Sequence, residues 1–178
     1  MNTYKRIRLI LVGFLLVALL SILYGIVMLS ADKKTAERQL EQMPNFGVSR
    51  LNDVPFTKDS LANKAFTLFL YFHADCDFCR HEIESIAENS ANFKRAQLLF
   101  VSPDELVDLK KIVSERQLGD DSTFVILRDE RLEFASQFHI KSSPCTLLYD
   151  GNRKLVKRID GQVLAGTILK EMEYYENR

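Results

Sequence analysis

An excess of charge is the first thing this sequence lacks: among 178 residues, 24 Lys and Arg stand against 24 Asp and Glu. Setting aside Lys5, Arg6 and Arg8 near the start leaves 21 basic side chains against 24 acidic ones, a net of −3. Such a balance carries no electrostatic footprint for nucleic acid. Cysteine and histidine are also scarce, with Cys76, Cys79, Cys145, His73, His81 and His139 making up the whole supply. Beyond the first cysteine pair they are scattered, and a structural zinc site needs about two further ligands at motif spacing. No internal repeat or low-complexity stretch occurs. The length suits one domain plus an appendage, so a single core is expected.

Charge is missing altogether from Leu9 to Leu29, a run of 21 residues. At about 1.5 Å per residue that run covers roughly the 30 Å hydrocarbon core of a bilayer. Lys5, Arg6 and Arg8 precede it and favour a cytoplasmic N-terminus, against the weaker opposing pull of Lys33, Lys34 and Arg38. A cleaved signal peptide would have a shorter apolar region and a small-x-small site, which Leu29-Ser30-Ala31 does not supply. No cysteine lies near the end of the run, so a lipoprotein is excluded. The expected organisation is a cytoplasmic N-terminus (1–8), a transmembrane anchor (9–29), a linker (30–45) and one folded domain (46–178), placed outside the cytoplasm.

Within that domain the hydrophobic pattern alternates between strand and helix. The apolar run Phe66–Phe72 predicts a buried strand that leads into Cys76. Ile83, Ile86, Ala87 and Ser90 then repeat at helical spacing. Gln97–Val101 predicts a second strand, and Ser102-Pro103-Asp104-Glu105 has the capping-box pattern with proline at the first helical position. Leu106, Leu109 and Val113 continue that helix. Thr123–Leu127 reads as a third strand and Leu132, Ala135 and Phe138 as a short helix. Strand–helix alternation implies parallel pairing. At the end, Thr146–Tyr149 and Lys154–Ile159 flank Asp150-Gly151, a hairpin signal, and Val163, Leu164, Ile168 and Met172 predict a closing amphipathic helix. The expected class is α/β, a central mixed sheet flanked by helices.

The chemistry-bearing motif is Cys76-Asp77-Phe78-Cys79, between a buried strand and a helix. The first thiol would sit at the helix N-terminus, where unpaired N–H groups and the helix dipole stabilise a thiolate. Cys76 is then the attacking nucleophile, and Cys79, one turn in, resolves the mixed disulfide. Glu82, three residues further along, shares the face of Cys79. A partly buried carboxyl there, its proton affinity raised, suits the task of taking the Cys79 proton. The competing reading makes Glu82 a surface residue beside Glu84 and Glu88.

On the strand–CxxC–helix arrangement, on Glu82, and on Ser143-Pro144 ahead of the Asp150-Gly151 hairpin, the chain resembles the membrane-anchored, TlpA- and ResA-like branch of the thioredoxin superfamily over roughly Phe46 to Met172. The 64 residues between Cys79 and Pro144 leave room for the extra strand and helix of that branch. The resemblance implies a thioredoxin-like fold, thiol-disulfide oxidoreductase activity without a cofactor or metal, and a cis Pro144 beside the dithiol whose neighbouring backbone, at Ser143, pairs with an incoming chain. It also implies an integral membrane electron donor, and clients among exported thiol proteins such as apocytochrome c. Two departures stand out. Asp75 replaces the usual tryptophan, and Asp77-Phe78 the common proline-containing pair. Carboxylates beside Cys76 oppose its thiolate, which predicts a comparatively low, reductant-like potential.

Cys145, directly after Pro144, is either a small buried residue or a third redox thiol. His73, His81 and His139 could join the thiols to bind copper as in Sco-type chaperones, although those use a wider cysteine spacing. Peroxiredoxins carry threonine or serine three residues before the reactive cysteine, where this chain has His73. A non-catalytic binding module that keeps the cysteine pair as a staple is the remaining alternative.

Overall fold

The structure, a computed structural model, describes residues 13–25, 38–116 and 124–178. The chain divides into two compact units, Met1–Gln39 and Leu40–Arg178. In the first, residues 13–25 are helical (α1) and expose apolar side chains such as Phe14, Leu16, Leu20 and Leu23. Among the described residues no helix is long and apolar enough to cross a membrane. The span expected over 9–29 lies partly outside the described residues, as do residues 1–8 and 30–37.

The second unit is built on seven strands: β1 (Gly47–Arg50), β2 (Pro55–Thr57), β3 (Phe66–Tyr71), β4 (Ala96–Ser102), β5 (Phe124–Arg128), β6 (Cys145–Asp150) and β7 (Leu155–Asp160). Four helices accompany them: α2 (Asp77–Glu88), α3 (Leu106–Arg116), α4 (Glu133–Gln137) and α5 (Ala165–Glu176). The strands form one sheet in the order β2-β1-β5-β4-β3-β6-β7. β3, β4 and β5 run parallel, as expected of units joined by helices, while β6 pairs antiparallel with both β3 and β7. This is the mixed α/β sheet of the thioredoxin-like fold.

Every residue of β3 and β6 is buried, because both faces of the sheet are covered. Alternation along the strands sorts the core into two layers. Phe66, Leu68, Leu70, Phe72, Leu98, Phe100 and Leu148 pack with Cys79, Ile83 and Ile86 of α2 and Ile168 and Met172 of α5. On the other face Phe69, Tyr71, Leu99, Val101, Cys145, Leu147 and Tyr149 meet Phe134 of α4 and Phe138 just after it. Leu40 and Met43, from the stretch read as linker, are buried in that second layer with Phe46. An isolated bridge from Gln42 to Lys154 ties the same stretch to the end of the β6–β7 hairpin.

One local expectation is corrected. Ser102 does not open a capping box: it closes β4, its hydroxyl accepts the Asp104 N–H at 3.2 Å, and α3 begins at Leu106 with Glu105 C=O as the first acceptor. The Asp104 carboxylate instead meets the Ala74 N–H and the His73 ring in the segment after β3. The β6–β7 hairpin forms as expected, but Arg153 rather than Gly151 takes the left-handed conformation, at φ 64°. A Cβ at Gly151 would meet the Lys64 carbonyl oxygen at 3.4 Å, an ordinary contact distance, so the turn does not require glycine there. The Asp150 carboxylate ties the turn by accepting the N–H groups of Asn152 and Lys154 at 2.9 and 2.8 Å.

Candidate active site

The register between β3 and β6 sets the site. Tyr71, last residue of β3, lies opposite Cys145, first residue of β6, so the chain leaving β3 toward Cys76 passes beside Pro144. The chain then turns, with Cys76 N–H donating to the His73 carbonyl at 3.2 Å, and α2 starts. Cys76 is the N-cap of α2, and its sulfur accepts the Cys79 N–H at 3.2 Å. A sulfur in that place faces the positive end of the helix, the environment that favours a thiolate.

The two thiols differ in their surroundings. Cys76 is half-buried and open to a partner, while Cys79 is fully buried. Burial, with a hydrogen bond to Cys76 adding to it, pushes the Cys79 thiol up to about 12, and the His73 backbone and the Ser143 side chain offset part of the rise. The β3–β6 register, which sets Tyr71 opposite Cys145, brings the Ser143–Pro144 segment beside the loop that carries the dithiol. The Ser143–Pro144 peptide is cis, and the buried Pro144 offers its carbonyl to Gly161 N–H at 2.9 Å. Cys76, Cys79, Ser143 and Pro144 therefore form one cluster.

Glu82 joins them from below. It is fully buried, not a surface glutamate, and burial pushes its carboxyl up to about 7, against two hydrogen bonds that favour the charged form. Thr146 Oγ1 donates to Oε1 at 2.5 Å and Val163 N–H to Oε2 at 3.0 Å. A carboxyl balanced near neutrality behind a buried thiol can take that thiol's proton.

Cys145 is not brought to the dithiol. It faces the opposite side of the sheet, fully buried, with its thiol donating to Asp160 Oδ1 at 3.5 Å and pushed up to about 12 by burial. The three histidines also part company. His73 lies beside the nucleophile's loop, His81 is exposed on α2, and His139 follows α4 with its carbonyl accepting from Arg158. Among the described residues no three His, Cys, Asp or Glu side chains converge on a place for a metal ion.

Sequence reasoning missed two contributors. Asp104, read as part of a cap, accepts the Ala74 N–H at 2.5 Å and pairs with His73 Nδ1 at 2.8 Å, bracing the loop that presents Cys76. Thr146 is the other, and its signal was a hydroxyl beside the apolar Leu147 and Leu148 in a buried strand. Beside Cys76 opens a cleft of about 470 Å³ lined by His73, Asp75, Arg80, Asp104, Asp108 and Lys111. Asp77 pairs with Arg80 along α2, and Phe78, between the cysteines, is 64% exposed.

An accessible sulfur at a helix N-cap, a buried partner one turn on and an adjacent proline strand define a thioredoxin-fold oxidoreductase. The chain belongs to the AhpC/TSA family, which it matches over residues 40–158. Solved structures agree on the fold. A secreted Mycobacterium tuberculosis disulfide oxidoreductase homologous to E. coli DsbE is similar with a TM-score of 0.62 and 16% identity, over 77% of this chain and 98% of that one. Peroxidoxin BcpB from Mycobacterium tuberculosis gives 0.65 and 17%, over 75% and 94%. StoA from Bacillus subtilis gives 0.58 and 15%, over 72% and 96%. No curated protein matches the chain.

Proposed function

We propose that this chain is a membrane-tethered, extracytoplasmic thiol-disulfide oxidoreductase that reduces disulfides of exported proteins through Cys76 and Cys79. The observation that carries the reading is the asymmetry of the pair: a half-buried Cys76 at the N-cap of α2 and a fully buried Cys79 whose N–H reaches the Cys76 sulfur. The Cys76 thiolate attacks a client disulfide, forming a mixed disulfide and releasing one client thiolate. Cys79 then gives its proton to Glu82 and attacks Cys76 Sγ; the Cys76–Cys79 disulfide forms and the second client thiolate leaves. The electron pair has moved to the client, and no cofactor takes part.

Support for the tether is the uncharged run Leu9–Leu29 behind Lys5, Arg6 and Arg8. In that setting the oxidised pair is re-reduced by an integral membrane electron donor, and the resemblance to the TlpA- and ResA-like branch favours apocytochrome c among the clients. Asp75 and Asp77 beside the nucleophile support the reducing direction, because they disfavour the thiolate of the reduced form. Insulin reduction in the presence of dithiothreitol tests the activity. Acceleration by the wild type and its loss in Cys76→Ser are expected; a wild type that does not accelerate it would leave only a binding module.

A further inference from the structure

We propose that Thr146 is a positioning residue for the resolving step: its hydroxyl fixes the Glu82 carboxylate behind Cys79 and keeps it able to accept that thiol's proton. The inference rests on the reading of Glu82 given above and extends it to the strand that follows Pro144.

Glu82 is fully enclosed, and among the described residues no basic side chain pairs with it. Its negative charge therefore depends on two donors, one for each oxygen. Val163 N–H, on Oε2, belongs to the main chain ahead of α5, and a side-chain substitution leaves it in place. Thr146 Oγ1, on Oε1, is the donor supplied by a side chain. A buried carboxylate stripped of one of two hydrogen bonds moves toward its neutral form, which can no longer take a proton.

The hydroxyl is held where it is. Thr146 is 1% exposed and locked in register between Leu70 of β3 and Ile159 of β7. Its neighbours along β6 are Cys145, Leu147 and Leu148, so its buried hydroxyl stands in an apolar stretch and needs a partner. A β-branched side chain in a strand also has little χ1 freedom, which keeps the hydroxyl aimed at α2. Cys79 precedes Glu82 by three residues on the same helix, and on β6 Cys145 has a burial-raised thiol that feels the Glu82 charge; the segment before α5 contributes a main-chain N–H. Thr146 lies two residues beyond Pro144, so one short stretch of chain entering β6 would present the client-pairing backbone and hold the proton acceptor.

The resolving step can be watched alone. In the reduced full-length chain in detergent, Ellman's reagent converts Cys76 to a mixed disulfide with thionitrobenzoate. Attack of Cys79 on Cys76 Sγ then expels thionitrobenzoate, and stopped-flow absorbance gives its rate against pH. The wild-type rate should rise through a limb near 7, where Glu82 titrates. Glu82→Gln should remove the limb. Thr146→Val should move it upward by about one pH unit, which near neutrality leaves the rate about five-fold lower, and Thr146→Ser should restore it. Should valine disturb the fold, Thr146→Ser and Thr146→Ala, which differ by the hydroxyl alone, make the same comparison. A limb abolished by Glu82→Gln but unmoved by loss of the hydroxyl would overturn the role of Thr146 and spare that of Glu82. A limb that survives Glu82→Gln would overturn both.

Discussion

Replacing Glu82 by glutamine should make the protein more stable at neutral pH while impairing it as an exchange catalyst. An unfolded glutamate titrates near 4.5, whereas burial raises the folded Glu82 carboxyl to about 7. Between those values the native state holds a proton that the unfolded state has lost, so stability falls as pH rises through the window. Above it the loss is complete and amounts to about 3 kcal/mol, from about 1.4 kcal/mol per unit of displacement. Glutamine fits the same space. Its carbonyl can accept Val163 N–H and its amide can donate to Thr146 Oγ1, so both polar neighbours stay satisfied. Urea denaturation of the reduced wild type and Glu82→Gln proteins across this range is the assay. The variant should be nearly matched to wild type at the acid end and ahead by about 3 kcal/mol at the alkaline end, or about 10 °C in Tm for a domain of this size. The thiols of Cys79 and Cys145, raised from 9.0, titrate above the window and leave it clear. A stability difference that stays flat with pH would refute the argument that a buried, strained charge sits at Glu82.

Asp104→Ala leaves the Ala74 N–H and the His73 ring without their shared acceptor, so it should cost about 2 kcal/mol in urea denaturation and slow the first attack by Cys76; unchanged values for both would show that the brace is idle. Removing the negative charge at position 75 with Asp75→Asn should raise the reduction potential by about 10 mV in a glutathione-redox titration. Asp77→Asn should do less, because Arg80 already offsets that carboxylate; a fall in potential for either variant would reverse the electrostatic argument. External protease added to intact spheroplasts should digest the folded domain while leaving residues 1–8 protected, and a protected domain would contradict the proposed topology.

What could be seen in advance follows from which forces are local. The continuous apolar runs of β3 and β4 announced buried strands, Asp150-Gly151 announced the hairpin after β6, and the cysteine pair following β3 announced the site, because all depend on residues adjacent in the chain. Glu82 was reachable for the same reason, being one helical turn from Cys79. Asp104 was misread because its local pattern offered a good cap. The competing partners, His73 and Ala74, are 31 and 30 positions away, and only the fold brings them near. Cys145 shows the same limit. Adjacent to Pro144 in sequence, it points away from the dithiol because successive strand residues take opposite faces, and the face of Thr146 is the one that meets Glu82. Leu40 and Met43 gave no periodic signal, and their burial depends on the packing of Phe46, Phe134 and Phe138 around them.

The most direct test of the account is capture by the Cys79→Ser protein in the living membrane. With the resolving thiol gone, the mixed disulfide at Cys76 should persist, and non-reducing gels followed by mass spectrometry should show exported cysteine-containing proteins joined to Cys76 and released by dithiothreitol. Adducts that still form in the Cys76→Ser, Cys79→Ser double variant, or none at all in Cys79→Ser, would contradict the claim that an accessible sulfur at the start of α2 does the chemistry.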